Sequence, residues 1–273
     1  MNRLFVAYKP SGITSNSYLG RLKRAYGVKK AGFSGTLDPF AKGVLIVAFG
    51  SYTKLFRFLK KTPKRYRATL WLGAKSDSLD IEMIDEIRLI KELELSQVKE
   101  VLKSLEGELS YEPPIFSAKH IDGKRAYDLA RAGVEVKLET INSTIYSSRL
   151  INYSHPFITF EASVSEGTYI RSLGAIIAKR LGVEYGSLSA LERLNEGEFR
   201  FEEQKSLDIK NYLDLKQNHY SGDIANLEYG RVLDIEDLRF KDEGSYYIDS
   251  GSFLSIVTIK DTKVSYELGR VLC

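Results

Sequence analysis

Cysteine occurs once in 273 residues, as Cys273, which excludes an intrachain disulfide and a CxxC metal site. Histidine is nearly as scarce. His120, His155 and His219 are not spaced as a ligand pair, and no Ser/His/Asp order suggests a hydrolytic triad. The GxxxxGK[ST] phosphate loop is missing. No apolar run reaches the roughly 18 residues of a membrane helix, and the opening MNRLFVAYKP lacks the apolar stretch of a secretion signal. These absences lead us to expect a cytoplasmic protein with no structural metal and no membrane span.

Acidic residues are missing from one part of the chain. Residues 1–67 hold fifteen Lys or Arg and a single acid, whereas the remainder holds twenty-five basic and thirty-five acidic residues. The net charge of +4 therefore divides into +14 and −10. A surface so cleared of carboxylates fits a polyanionic partner, because each stray acid would repel phosphate. A solvated basic face is the plainer alternative. Either way, the one acid left, Asp38, stands out.

The coarse pattern is mixed. Residues 3–8 read as a strand, Ser15 to Tyr26 as a helix closed by Gly27, and Ala31 to Gly43 as a Gly-rich loop leading into the apolar strand Val44 to Phe49. A helix is expected from about Thr53 to Lys61, and an alternating strand from Arg65 to Gly73. Further helices are expected over Ser96 to Leu105, with Ser96 as N-cap, and over Lys124 to Ala132. Thr140 to Val164 reads as two strands. Tyr169 to Leu181 reads as a helix with Ile170, Leu173 and Ile177 on one face. Strands in runs with helices at irregular spacing indicate an α+β fold with a mixed, largely antiparallel sheet and flanking helices. After about residue 210 short strands and turns dominate, so the expected domains are 1–210 and a small β-rich unit, 211–273.

The loop GFSGTLDPFAKG, Gly32 to Gly43, is the most informative segment. Pro39 pushes Asp38 toward extended backbone. Positive neighbours are expected to keep its carboxylate ionised and lower its pKa. An Asp-Pro turn flanked by glycines would explain the same letters without any chemistry.

Five ordered blocks go further. They are Lys9-Pro10-Ser11-Gly12-Ile13-Thr14-Ser15; Gly35-Thr36-Leu37-Asp38-Pro39-Phe40-Ala41-Lys42-Gly43; Lys64-Arg65-Tyr66-Arg67 with Leu72-Gly73 and Asp77-Ser78-Leu79-Asp80; Pro113-Pro114-Ile115-Phe116-Ser117-Ala118 with Gly123 and Tyr127; and Gly167-Thr168-Tyr169-Ile170-Arg171-Ser172-Leu173. Together they resemble the bacterial tRNA pseudouridine-55 synthases. The resemblance implies a uridine-to-pseudouridine isomerase acting on the T loop of tRNA. It would need no cofactor and no obligate protein partner, and we expect a monomer.

In that resemblance Asp38 matches the essential aspartate that acts at ribose C1′ or C2′. Tyr66 matches the tyrosine that stacks on the target base, and Arg171 the arginine that pairs with the aspartate. Tyr169 and Lys9 match further pocket residues. Read from spacing alone, Arg171 falls off the apolar helix face and would be an exposed arginine. Phe33 stands where the family commonly has histidine, and it keeps the capacity to stack on RNA. Tyr111 stands where glutamine is common, and Glu192-Arg193 replaces a more basic pair. Phosphate contacts are expected from Arg21, Lys23, Arg24, Lys29, Lys30, Lys60, Lys61 and Lys64. Two other readings stay open: a tRNA-binding folding factor in which catalysis is secondary, and a guided synthase that needs partner proteins.

Overall fold

The computed structural model describes residues 1–116, 120–121, 124–125 and 138–273. In chain order the strands are β1 (Arg3–Lys9), β2 (Ala31–Ser34), β3 (Lys42–Phe49), β4 (Lys64–Leu72), β5 (Ala74–Ser76), β6 (Ile84–Ile87), β7 (Gly107–Tyr111), β8 (His120–Ile121), β9 (Lys124–Arg125), β10 (Ile141–Ser154), β11 (Phe157–Val164), β12 (Gly186–Glu196), β13 (Phe199–Arg200), β14 (Lys216–Asn218), β15 (Gly244–Asp249), β16 (Phe253–Lys260) and β17 (Lys263–Leu272). Among the described residues the α-helices are α1 (Ser15–Ala25), α2 (Leu95–Lys103), α3 (Ile170–Arg180) and α4 (Ile224–Tyr229).

A nine-stranded sheet dominates, in the order β1-β3-β12-β4-β11-β10-β7, with β2 added beside β3 and β13 beside β12. Its pairings are antiparallel except for β12 with β3. The α+β expectation is met. Along β4 the residues alternate, so that Tyr66, Ala68, Leu70 and Leu72 face the core while Arg65 and Arg67 face out. Those two arginines and Arg149 clasp Glu161 on β11 at 2.6, 2.7 and 2.8 Å. Helix α3 lays Leu173 and Ile177, both fully buried, on the inner face of that sheet, joined there by Val98 and Leu102 of α2. Each such side chain is worth about 1.5–3 kcal/mol relative to exposure.

The β2 strand corrects the sequence reading, which ran the loop from residue 31. Ala31, Phe33 and their neighbours pair with β3 from Ala31↔Phe49 to Ser34↔Ile46, so the Asp38 segment is the connection of a β-hairpin. The expected helix over 53–61 is a 3₁₀ segment, Gly50–Phe58. Its buried residues Leu55 and Phe58 are three apart, and three residues per turn put both on one side. At α2 the cap is Glu94, without a side-chain bond, rather than Ser96. Of the expected helix over Lys124 to Ala132, Lys124 and Arg125 form β9, and residues 126–132 lie outside the described residues. So do Ser117, Ala118, Gly123 and Tyr127 of the matching blocks.

The C-terminal sheet runs β14-β15-β16-β17. One of its faces builds a small core of its own from Leu227, Leu238, Phe253 and Val257. Leu254, Ile256 and Val271 instead share a cluster with Leu4, Val6 and Ile46 of the large sheet. No helix among the described residues is long and apolar enough to cross a membrane.

Candidate active site

Two elements meet at one point. The hairpin connection between β2 and β3 carries Asp38, and the first turn of α3 carries Arg171. Arg171 Nε lies 2.9 Å from Asp38 Oδ2, and Arg171 Nη2 lies 3.1 Å from Oδ1. The remaining donors are also occupied: Nη1 gives a hydrogen bond to the Ser78 carbonyl at 2.8 Å, and Nη2 gives one to the Phe116 carbonyl at 2.8 Å. Asp80 Oδ2 stands 3.5 Å behind Nη1. The guanidinium is thus held in one plane with its fork aimed at the carboxylate. The expectation of an exposed Arg171 is overturned. Its side chain is 5% exposed, that of Asp38 34%, so the arginine is the wall and the aspartate faces the opening.

The Asp38 loop is braced from both sides. The Ser15 hydroxyl accepts the Leu37 N–H at 3.0 Å and donates to the Leu37 carbonyl at 3.1 Å. The Lys9 ammonium, fully buried, donates to the carbonyls of Pro10, Ile13 and Pro39 at 2.9, 2.7 and 3.2 Å. From the other side Arg193 donates to the carbonyls of Gly35 and Val44. Gly43 meets Arg193 where β3 and β12 run parallel, and a Cβ there would stand 2.7 Å from the Arg193 nitrogen. Only glycine fits that approach.

Asp38, Tyr66, Tyr169, Arg171 and Lys64 line one cavity of about 310 Å³, at the small end of ligand sites. Five of the expected site residues are therefore brought together. Lys9 is not among the lining residues, because its three donors are spent on backbone carbonyls. Phe33 also stays outside, packed on the cluster of Phe5, Val47 and Phe49. Arg21 and Arg24 are exposed and Lys23 half-buried on α1, away from the cavity lining. Lys64 is buried, 3.3 Å from Glu196, rather than standing free on the surface.

The electrostatics also differ from expectation. Burial pushes the Asp38 carboxyl above its ordinary range, against the pull of Arg171, and the nearby Asp80 pushes the same way. The reading from charge alone, that Asp38 is lowered, left out desolvation. Burial likewise pulls Lys9 down to about 8, with Asp38 opposing the shift.

Sequence reasoning gave no role to Asp80, Ser15 or Tyr111. Asp80, 2% exposed, accepts from the Ser78 hydroxyl at 2.6 Å and the Glu82 N–H at 3.0 Å while facing Arg171. The Asp77-Ser78-Leu79-Asp80 block was its signal. The Tyr111 hydroxyl accepts the Tyr169 N–H at 2.9 Å and bonds the Ser143 hydroxyl, which fixes the start of α3. Among the described residues no group of His, Cys, Asp and Glu is placed to hold a metal.

Residues 23–170 match the model of the TruB family pseudouridylate synthase (N terminal domain). The chain belongs to the TruB family. Relatives agree over the whole length. The tRNA pseudouridine synthase B of Sulfurimonas denitrificans is 67% identical over 273 residues, covering 100% of both chains. That of a Sulfurovum species is 56% identical over 271 residues, covering 99% of this chain and 98% of the relative. A chain in the crystal structure of a Cbf5-Nop10-Gar1 complex shares the TruB chain's fold with a TM-score of 0.70, at 20% identity over 99% of this chain and 84% of that one.

Proposed function

We propose that the chain isomerises uridine to pseudouridine in the T loop of tRNA, at position 55, with Asp38 as the catalytic carboxylate. The observation that carries this reading is the two-point Arg171–Asp38 pair at the wall of a cavity that Tyr66 and Tyr169 also line. The reaction breaks the N1–C1′ bond, turns the uracil, and forms C5–C1′ in its place. A proton leaves C5 and N1 ends protonated, so nothing is oxidised and no group is gained. A carboxylate beside the ribose serves by attacking C1′ or by removing the C2′ proton, and both routes suit Asp38. Arg171 sets its orientation. Tyr66 offers a ring for the base to stack on, worth about 1–3 kcal/mol against the cost of unstacking the nucleotide.

Residues 1–210 are read as the catalytic unit and 211–273 as a small unit that extends the RNA surface. Arg21, Lys23, Arg24 and Phe33 lie outside the cavity and are assigned to RNA beyond the flipped nucleotide. The chain is read as a cytoplasmic monomer that works without a protein partner or cofactor. The test is to incubate purified protein with unmodified tRNA transcript and map pseudouridine by chemical sequencing, with Asp38→Asn alongside. Product at position 55 with the unaltered chain and none with the variant supports the reading. Salt-sensitive binding without product would favour the folding-factor or partner-dependent alternatives.

A further inference from the structure

Lys61 and Lys64 converge on one carboxylate oxygen at the cavity. Glu166 Oε1 lies 3.4 Å from the Lys61 ammonium and 3.5 Å from that of Lys64. The lysine side chains are 14% and 7% exposed, whereas Glu166 is 52% exposed. Two enclosed cations are thus covered by an acid that stands half in water. Lys64 is anchored from behind by Glu196, which Arg193 meets at 2.8 Å. Glu166 instead sits in the turn between β11 and α3, ahead of Gly167 at φ +84°. Lys64 is held from behind and Lys61 is enclosed, whereas Glu166 is the partner that can swing into water, since half-exposed ion pairs hold weakly.

We propose that Lys61 and Lys64 form the seat of a backbone phosphodiester flanking the target uridine, and that Glu166 fills this seat until RNA displaces it. The proposal rests on the RNA-modifying reading of the site. Glu166, Lys64 and Asp38 line the same cavity, so a ribose brought to Asp38 carries its own phosphates toward the wall that Lys64 forms. A carboxylate and a phosphodiester each carry one negative charge, so the exchange leaves the charge around the lysines unaltered. Burial pushes the Glu166 carboxyl up, but Lys64 and Lys61 outweigh it and bring it below its ordinary value. The acid therefore competes as an anion. Glu166 acts as a threshold: RNA enters productively only where its phosphate outcompetes the resident carboxylate.

The test is the dissociation constant of a T-arm stem-loop RNA, read by fluorescence anisotropy with the full chain. Glu166→Gln is expected to bind about three- to tenfold tighter. Lys61→Met is expected to bind more weakly, with a salt slope shallower by roughly one. The same RNA with neutral methylphosphonate linkages on both sides of the target uridine is expected to abolish the Glu166→Gln gain. Unchanged or weaker binding by Glu166→Gln would overturn the proposal. So would a gain that persists on the neutral-linkage RNA, because the contact would then lie elsewhere. Binding is read without turnover, so a chain that behaves as expected here but forms no pseudouridine would sink the proposed reaction and leave the phosphate seat standing.

Discussion

Arg171 holds Asp38 side-on, with Nε 2.9 Å from Oδ2 and Nη2 3.1 Å from Oδ1, while its third nitrogen turns back to the Ser78 carbonyl at 2.8 Å. A single planar group therefore fixes the carboxylate, the Ser78 turn and, through the Phe116 carbonyl, the segment after β7. An ammonium cannot reproduce that fork. Arg171→Lys is expected to slow single-turnover pseudouridine formation at least about 100-fold, roughly 2.7 kcal/mol of barrier, with the circular dichroism of the fold retained. A rate within about threefold of the unaltered chain would show that the two-point contact is not used.

The acid limb of the pH profile weighs burial against Arg171. Asp38 is pushed above 3.8, its ordinary value, because desolvation outweighs the guanidinium. For a carboxyl so raised, the proton binds as pH falls through the raised value, and the ionised form returns as pH rises through it. We expect kcat/KM to climb with pH along a limb whose midpoint lies above 3.8. Measured at constant ionic strength, a midpoint below 3.8 would mean that Arg171 wins.

Lys9 braces the Asp38 loop. Its ammonium spans Pro10, Ile13 and Pro39, the last one residue from Asp38. Lys9→Met is expected to lower kcat about tenfold while leaving RNA affinity within about threefold, less than the 1.4 kcal/mol of a decade in affinity. The opposite split, weaker binding at an unaltered kcat, would return Lys9 to the RNA.

How far the letters could lead depends on which neighbours a side chain meets. The α+β class and the two strands after the Asp38 loop follow from local pattern: the apolar run Val44 to Phe49, and the alternation that β4 shows plainly between Lys64 and Leu72. That Asp38, Tyr66 and Arg171 come to one cavity was legible through motif blocks, which carry no burial. Helical periodicity put Arg171 off the Ile170–Leu173–Ile177 face and hence in solvent. The structure buries Ile170 through Gly174 without a break, because the first turn of α3 plunges between the Asp38 loop and the Ser78 turn. Contacts made across more than ninety residues of sequence also decide the Asp38 pKa, through Arg171, and the burial of Lys64 against Glu196. β2 escaped notice because its two glycine-flanked residues look like loop until β3 is there to pair with them.

Gly43 tests the close approach of β3 and β12. An alanine Cβ would stand 2.7 Å from the Arg193 nitrogen and clash with its carbonyl, on a backbone at φ +118°. Gly43→Ala is expected to cost about 3 kcal/mol and lower the thermal midpoint by roughly 6–12 °C. Gly182, also at positive φ but with nothing within 4 Å, serves as the control, and its alanine variant should lose about 1 kcal/mol. Equal losses at both sites would assign the cost to φ rather than to contact.

Tyr111 tests whether the start of α3 is set from β7. Its hydroxyl accepts the Tyr169 N–H at 2.9 Å, two residues before Arg171, and also bonds the Ser143 hydroxyl at 3.0 Å. Tyr111→Phe keeps the buried ring and removes the acceptor, leaving that N–H unpaired at a cost of about 1–3 kcal/mol. A helix start released in this way lets Arg171 drift from its fork, and small misplacements are costly in a preorganised site. We expect kcat to fall about tenfold with KM little altered, alongside a lower thermal midpoint. Ser143→Ala removes the other partner of the hydroxyl but leaves the Tyr169 N–H satisfied, so it should cost stability and spare the rate. If the two variants lose rate equally, Tyr111 stabilises the fold without positioning Arg171.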